Sequence, residues 1–451
     1  MAKVEALTAK VTALEARLTQ NSSNSSKPPS SDPPGAPRTL KGRTGRRPGG
    51  QPGHKAYKRE LFSEDRVDHF VNVPAPNVCG GCAHRLDGEA VEATRHQTVE
   101  VPPLRPFITE FRCHGLRCRD CGRVSYGELP PEAEHVFGDR LTGIIALLSG
   151  RYRLSKRMTK EALSDLLGVD LSLGSITNRE AEVASALETA VSEAGEFVRQ
   201  SDTVHADETG WFEGTAEGRA GRAWLWLAAT SSVAVFRIET SRGGRVAKAL
   251  LGEDFAGFLT TDRWSGYNWY EPALRQLCWS HLTRDFQGFI DRCGEGGRLG
   301  TLLMKQRDLM FEWWHRVRDG TLKRSEFEQN MKPLEAEVGR LLAAAAARAE
   351  PKTAGMAAEI LKLEESMWTF VHAEGLEPTN NFAEQLIRPG VMYRKTSFGT
   401  HSPQGSRFVE RILSAVTTLR LQHRNVLEFL TETVASHRHG SRWPSLLPVS
   451  A

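Results

Sequence analysis

From residue 201 the spacing of apolar residues switches between two and about 3.6, and this alternation constrains the fold more than any other feature of the chain. SDTVHADETGWFE, GRAWLWLAAT and VAVFRIE each read as a strand, and glycine-containing turns join them into a meander. SRGGRVAKALLG reads as a helix. GFLTTDRWSGYN then gives a fourth strand ending at Asp262, and RQLCWSH a fifth. Strands joined by tight turns pair antiparallel, whereas parallel pairs need a longer crossover. The expected order is β-β-β-α-β-α-β, an α/β layer with a central parallel portion.

That order is the order of an RNase H-like sheet. It puts Asp207 on the first strand and Asp262 at the end of the fourth, where adjacent strands let them meet. An isolated Asp is usually a solvated or capping residue. The placement of these two, at or near the ends of strands rich in Val, Phe, Leu and Thr, singles them out. Carboxylates brought together raise one another's pKa, and a hard divalent cation such as Mg²⁺ (or Mn²⁺) relieves the repulsion. Asp202 and Glu208 compete for the role, but on a strand Glu208 faces opposite to Asp207. A third acid comes from EPTNNFAEQLIRPGVMYRKTSFG. Thr379, Asn380 or Asn381 caps a helix there, with Glu384 in its first turns and Arg388 on the same face at i+4. Tyr393, Arg394, Lys395, Phe398 and Arg407 follow. By pattern alone this is equally a surface helix with a Glu384–Arg388 ion pair.

The remainder of the 451 residues divides by composition. Residues 1–20 repeat in heptads, with Val4, Val11 and Leu18 at one seam position and Leu7 and Leu14 at the other, a coiled-coil pattern that points to a homo-oligomer, the alternative being a single amphipathic helix packed on its own protein. Residues 21–60 are rich in Ser, Pro and Gly and read as a disordered linker. Between Gly35 and Arg59 lie eight Lys/Arg and no acid. Arg43, Arg46, Arg47 and Lys55 are therefore candidates for neutralising DNA phosphates. Residues 61–130 hold Cys79-x-x-Cys82 and Cys118-x-x-Cys121, two thiolate knuckles that together complete a structural Zn²⁺ site, with Cys113 and His114 as rival ligands. HQTVEVPPLRPFITEFRCHG between them alternates like strands, so a zinc-ribbon-like module with an inserted hairpin is expected.

Residues 131–200 turn helical. KEALSDLLGVDLSLGSITNRE reads as a helix-turn-helix with Gly168 at the turn and Ser172 or Ser175 as the second cap. It is a candidate for DNA recognition, although many helical hairpins carry a glycine turn. Residues 201–285 form the first part of the core. Residues 286–372 read as a helical insertion, with Trp313 and Trp314 at core spacing or available to stack on DNA. Residues 373–451 close the core.

The N-terminus lacks the apolar segment of a signal peptide. The longest apolar runs, IIALL and LLAAAAA, fall far short of a membrane span of about 20 residues. A cytoplasmic protein with no membrane partner is expected. Five of the seven cysteines fall between 79 and 121, which in a reducing compartment points to metal rather than disulfides.

Taken together, NSSNSSKPPSSD, GGQPGHK, the two cysteine knuckles, HADETGW, TTDRWSGYN and NNFAEQLIRP resemble the transposases of the insertion sequence sixty-six family, bacterial DDE transposases, over nearly the whole chain. RLSKRMTKEAL departs from that family's usual Pro-Leu-Tyr-Arg-Gln-like stretch, and AEQ replaces Ala-Glu-Arg without loss of the acid. The resemblance implies an RNase H-like catalytic core in which Asp207, Asp262 and Glu384 hold two Mg²⁺. It implies metal-dependent cleavage at transposon ends and strand transfer into target DNA, with accessory proteins of the same element as possible partners. CWSHLTRDF matches a further block in which a Cys, two residues and a His fall between the second Asp and the Glu. Cys278, His281 and Arg284, together with Arg388 and Lys395, are thereby candidates for active-site support. Two alternatives are an RNase H-like nuclease that does not join, and a zinc-containing DNA-binding regulator without catalysis.

Overall fold

The structure, a computed structural model, describes residues 59–214 and 220–448. The heptad segment 1–20 and the basic residues Arg43, Arg46, Arg47 and Lys55 lie outside the described residues. The described chain divides into two units, 59–106 and 107–448.

In the first unit Gln97 fastens the backbone of Phe62 through both ends of its amide, accepting from Phe62 N (2.8 Å) and donating to Phe62 O (3.0 Å). The strands expected within 96–114 do not form; that stretch carries no regular secondary structure. Pro102, Pro103 and Pro106 account for the failure, since each lacks the N–H a ladder requires. The second unit instead opens with a short antiparallel hairpin, β1 (Gly115–Arg117) and β2 (Val124–Tyr126).

Four helices follow: α1 (Asp139–Ala146), α2 (Lys156–Leu167), α3 (Leu173–Ala186) and α4 (Glu188–Arg199). The turn between α2 and α3 falls at Gly168, whose φ of 63° is the left-handed conformation that favours glycine. Of the two candidate caps it is Ser172 that opens α3, accepting from Ser175 N at 3.0 Å. Ile145, Leu163, Leu171 and Ile176 share a small core among these helices.

The sheet has five strands: β3 (Thr203–Gly214), β4 (Ala220–Ala229), β5 (Ala234–Glu239), β6 (Phe258–Thr261) and β7 (Arg275–Leu277). Their spatial order is β5-β4-β3-β6-β7; the meander is antiparallel, and β3-β6 and β6-β7 are parallel. Helix α5 (Gly244–Leu251) makes the crossover from β5 to β6. No helix makes the next one. Between β6 and β7 the chain forms two 3-10 turns, Ser265–Tyr267 and Pro272–Leu274. With Gly266 and Pro272 inside it, that segment is too interrupted to hold a helix.

After β7 come α6 (Trp279–Asp291), α7 (Gly294–Arg318), α8 (Arg324–Arg348), α9 (Pro351–Leu361) and α10 (Thr369–His372). They bury a core of their own, including Phe286, Leu303, Met331, Leu342 and Phe370. Trp314 belongs to it, packed on Phe327 (5.7 Å between ring centres) and Phe370 (5.3 Å), and Trp313 lies partly buried beside it. The tryptophan pair therefore serves packing.

The chain then returns to the sheet as α11 (Asn381–Ser397), α12 (Pro403–Leu421) and α13 (Val426–His439). Helix α12 lies along the edge strand β5. Glu410, Ser414 and Thr418, one helical turn apart, accept from the N–H groups of Ile238, Phe236 (2.8 Å) and Ala234 (3.0 Å). Two residues of strand advance about 6.7 Å and four of helix about 6 Å, so the two rows keep step. The edge that would otherwise recruit another strand is thus satisfied within the chain.

Candidate active site

Asp207 stands on β3, and the parallel register with β6 pairs Thr203 with Phe258, Val204 with Leu259 and His205 with Thr260. Carried two residues further, that register sets Asp207 level with Asp262, the first residue past β6. Alternation along β3 sends its side chains to two different neighbourhoods. On one face His205 packs edge-on against Phe382 (5.2 Å), Thr209 accepts from Arg394 (3.3 Å) and Trp211 lies against Tyr393 (5.7 Å), so α11 covers this face. Asp207 shares it. Glu208 projects from the other face, as its position on the strand requires, and accepts from Arg242 (2.9 and 2.6 Å) and Tyr267 (2.8 Å). The other competitor, Asp202, is exposed.

Burial, and then the charges of Glu208, Asp262 and Glu384, hold the Asp207 carboxyl well above the usual carboxylate range. The repelling acids name what is gathered here. Asp262 is held by its own loop, its Oδ1 accepting from Trp264 N (2.8 Å). That loop is clamped by Arg275, which is 1 % exposed. Its guanidinium donates to Thr261 Oγ1 (3.0 Å), Asn268 Oδ1 (2.9 Å) and the carbonyls of Asp262 (2.9 Å) and Trp264 (3.3 Å). Burial pulls the pKa of Arg275 down to about 10.

Glu384 lies in the first turn of α11. Asn380 precedes that helix, but its side chain does not cap it. The amide instead reaches β3, donating to Ala206 O (2.8 Å) and meeting His205 Nδ1 (3.2 Å). The helix start is thereby fastened one residue from Asp207. Burial raises the Glu384 carboxyl, while the charges of Arg284 and Arg388 oppose the rise. A direct ion pair with Arg388 is not formed among the described residues. Glu384 Oε1 instead faces His281 Nδ1 at 3.5 Å. Burial pushes the His281 imidazole down to about 4, so it is neutral at pH 7. Cys278, the residue before α6, is buried behind them and accepts at Sγ from Asn380 N (3.1 Å). Lys395 and Arg388 are exposed.

The structure thus gathers Asp207, Asp262, Glu384, Cys278, His281 and Arg284 beside β3 and the end of β6. Sequence reasoning missed Arg275, His205, Arg242, Tyr267 and the second use of Asn380. All but Arg275, whose partners lie 7 to 14 residues away, act through partners distant in the chain, and the local sequence signals none of them.

The cysteine knuckles, one in each unit, are built alike. Cys79 N donates to His84 O (2.9 Å) and Ala83 N to Cys79 O (3.0 Å), with Ala83 at φ 59°. Cys118 N donates to Arg123 O (2.8 Å) and Gly122 N to Cys118 O (3.0 Å), with Gly122 at φ 75°. In each, backbone N–H groups turned toward the first sulfur lower its thiol pKa. No helix among the described residues is long and apolar enough to cross a membrane.

Residues 145–407, which include all three acids, match the family model described as Transposase IS66 family. Residues 1–60 match a family of unknown function (DUF6444). The uncharacterized protein y4qI of Sinorhizobium fredii is 23% identical over 412 residues, which cover 84% of this chain and 74% of that one. Because the family model covers more than half of its length, the chain belongs to the IS66 family of transposases.

Proposed function

We propose that Asp207, Asp262 and Glu384 are the metal-binding acids of a DDE transposase with an RNase H-like core, which cleaves at transposon ends and joins the freed strand to target DNA. One observation carries the reading: a half-buried carboxyl on a central strand, with Asp262 level with it on the neighbouring parallel strand and Glu384 brought near by α11. Such an arrangement is unfavourable in itself and becomes favourable around a divalent cation. The donor set fits, since Asp207, Asp262 and Glu384 offer only hard oxygen ligands. Mg²⁺ or Mn²⁺ held there would stabilise the attacking and leaving oxygens of an in-line phosphoryl displacement.

The remaining side chains have positioning work. Arg275 fixes the loop that presents Asp262, and Asn380 fixes the start of the helix that presents Glu384. Arg284 and Arg388 bring positive charge beside Glu384, where a DNA phosphate would approach. Each knuckle, Cys79/Cys82 and Cys118/Cys121, would offer two thiolates to a structural zinc, because N–H groups turned toward the first sulfur favour the thiolate that zinc requires. DNA is the substrate, and helices α2 and α3 are candidates for end recognition.

Asp207→Asn, Asp262→Asn and Glu384→Gln test the assignment. Each is expected to abolish cleavage and joining of end-containing DNA in Mg²⁺ while binding of that DNA persists, because phosphates are held mainly by Lys and Arg. Joining retained by all three variants refutes the DDE reading. Cleavage without joining by the unaltered protein would make it a nuclease.

A further inference from the structure

Two helices begin at one place. Cys278 precedes α6 and His281 stands in its first turn; three positions apart, they share a face. Glu384 stands in the first turn of α11. The two starts are fastened together. Trp279 N donates to Pro378 O (2.9 Å), Ser280 Oγ to Asn381 Oδ1 (3.3 Å) and Asn380 N to Cys278 Sγ (3.1 Å). In consequence Cys278 Sγ, a His281 ring nitrogen and a Glu384 carboxylate oxygen lie within 4.8 Å of one another.

His281 Nδ1 and Glu384 Oε1 are both buried atoms without a hydrogen-bond partner, although they face each other. Buried polar atoms are nearly always paired, so two facing orphans mark something that belongs between them. Their 3.5 Å separation is close to the edge of a tetrahedral site, which for metal bonds of about 2.0–2.1 Å is about 3.3 Å. We propose that Cys278, His281 and Glu384 bind a divalent transition ion of the zinc class.

Sulfur and imidazole donors select such an ion over Mg²⁺. Both groups stand at the positive ends of helices, although burial raises the Cys278 thiol and the Glu384 carboxyl; the anionic forms are the ones that ligate. As the metal–sulfur bond forms, the Cys278 thiol proton passes to solvent. Three protein donors leave one tetrahedral position open, to water. The site shares Glu384 with the proposed catalytic acids but requires neither Asp207 nor Asp262.

The test counts metal in the full-length protein. After dialysis against Zn²⁺ and then metal-free buffer, elemental analysis is expected to find one zinc fewer per chain in His281→Ala and in Cys278→Ser than in the unaltered protein. Asp207→Asn is expected to keep the full count, and any zinc on the cysteine knuckles is common to all four proteins. With Co²⁺ in place of Zn²⁺, Cys278→Ser is expected to lose part of the sulfur-to-metal charge-transfer absorption. A folded His281→Ala with an unchanged zinc count overturns the proposal and leaves a bridging water between the two orphans. If circular dichroism shows that Cys278→Ser fails to fold, the partly exposed His281 carries the count alone. Failure of the DDE reading shows separately, as joining retained by Asp207→Asn.

Discussion

Glu208→Gln separates the two faces of β3, and its effect can be worked from the structure. The Glu208 side chain is 0 % exposed. One oxygen accepts from Arg242 and the other from the buried Tyr267 hydroxyl. Arg242 is itself held between rings, 3.9 Å from Trp264 and 4.7 Å from Trp224. Burial, and then the charge of Asp262, raises the carboxyl from 4.5 to about 7 despite these partners. At about 1.4 kcal/mol per unit of pH the displacement is worth about 3 kcal/mol. The sign follows from the direction. A folded pKa above the ordinary value confers stability that is fully present below pH 4.5 and is lost as the pH rises through about 7. A glutamine does not titrate, so the stability of Glu208→Gln relative to the unaltered protein is expected to rise by about 3 kcal/mol from pH 4.5 to pH 8. Removing the Glu208 charge also relieves Asp207, and this adds in the same direction. A chain with several cores need not unfold as one unit, so the assay is native-state hydrogen exchange of the β3 and β4 amides at several pH values. Because Glu208 faces away from α11, cleavage is expected to stay within about tenfold of the unaltered protein, a change of about 1.4 kcal/mol in the barrier. A stability difference that is flat across the window refutes the electrostatic argument.

Gly390 lies in α11 where that helix meets β4, and a Cβ there would overlap Leu225 Cδ2. Gly390→Ala is expected to lower the melting temperature by a net cost of about 1–2 kcal/mol, overpacking outweighing the gain in helix propensity. Leu225→Ala in the same chain should recover part of the loss. Arg275→Met removes every donor that the guanidinium supplies to residues 261–268. It is expected to cost about 3 kcal/mol locally, read as faster amide exchange in that loop, with α8 and α9 unaffected.

The meander was legible because its strands alternate and short polar segments separate them. The fourth strand was legible as well, since FLTT ends abruptly at a charged residue. The same alternation misled over 96–114, where three prolines remove donors that periodicity does not count. It also suggested a helix between β6 and β7, where Gly266 and Pro272 interrupt the segment. At α12 the difficulty ran the other way. Glu410, Ser414 and Thr418 are polar residues at helical spacing, which resembles a solvated face, yet they are buried against β5. Polarity marked a hydrogen-bonding face here, and only the unpaired N–H groups of a strand some 180 residues away make that visible.

The candidate site divides along the same line. Asp207, Asp262 and Glu384 could be proposed from the sequence because Asp262 follows the end of a strand, Glu384 stands in the first turn of a helix, and Asp207, inside β3, lies in the block HADETGW that carries the family resemblance. What holds them in place could not. Asn380 is one of three candidate caps in the sequence, capping being the local use of an asparagine before a helix. The structure spends that amide on β3 instead, 174 residues earlier in the chain. A local cap would have stabilised α11 alone. The long-range bonds tie the start of α11 to the strand that carries Asp207, and so couple the position of one acid to that of another. Arg275 does the same for Asp262. The acids are thus read from chain position, whereas their mutual geometry depends on residues whose sequence context suggests a bland role.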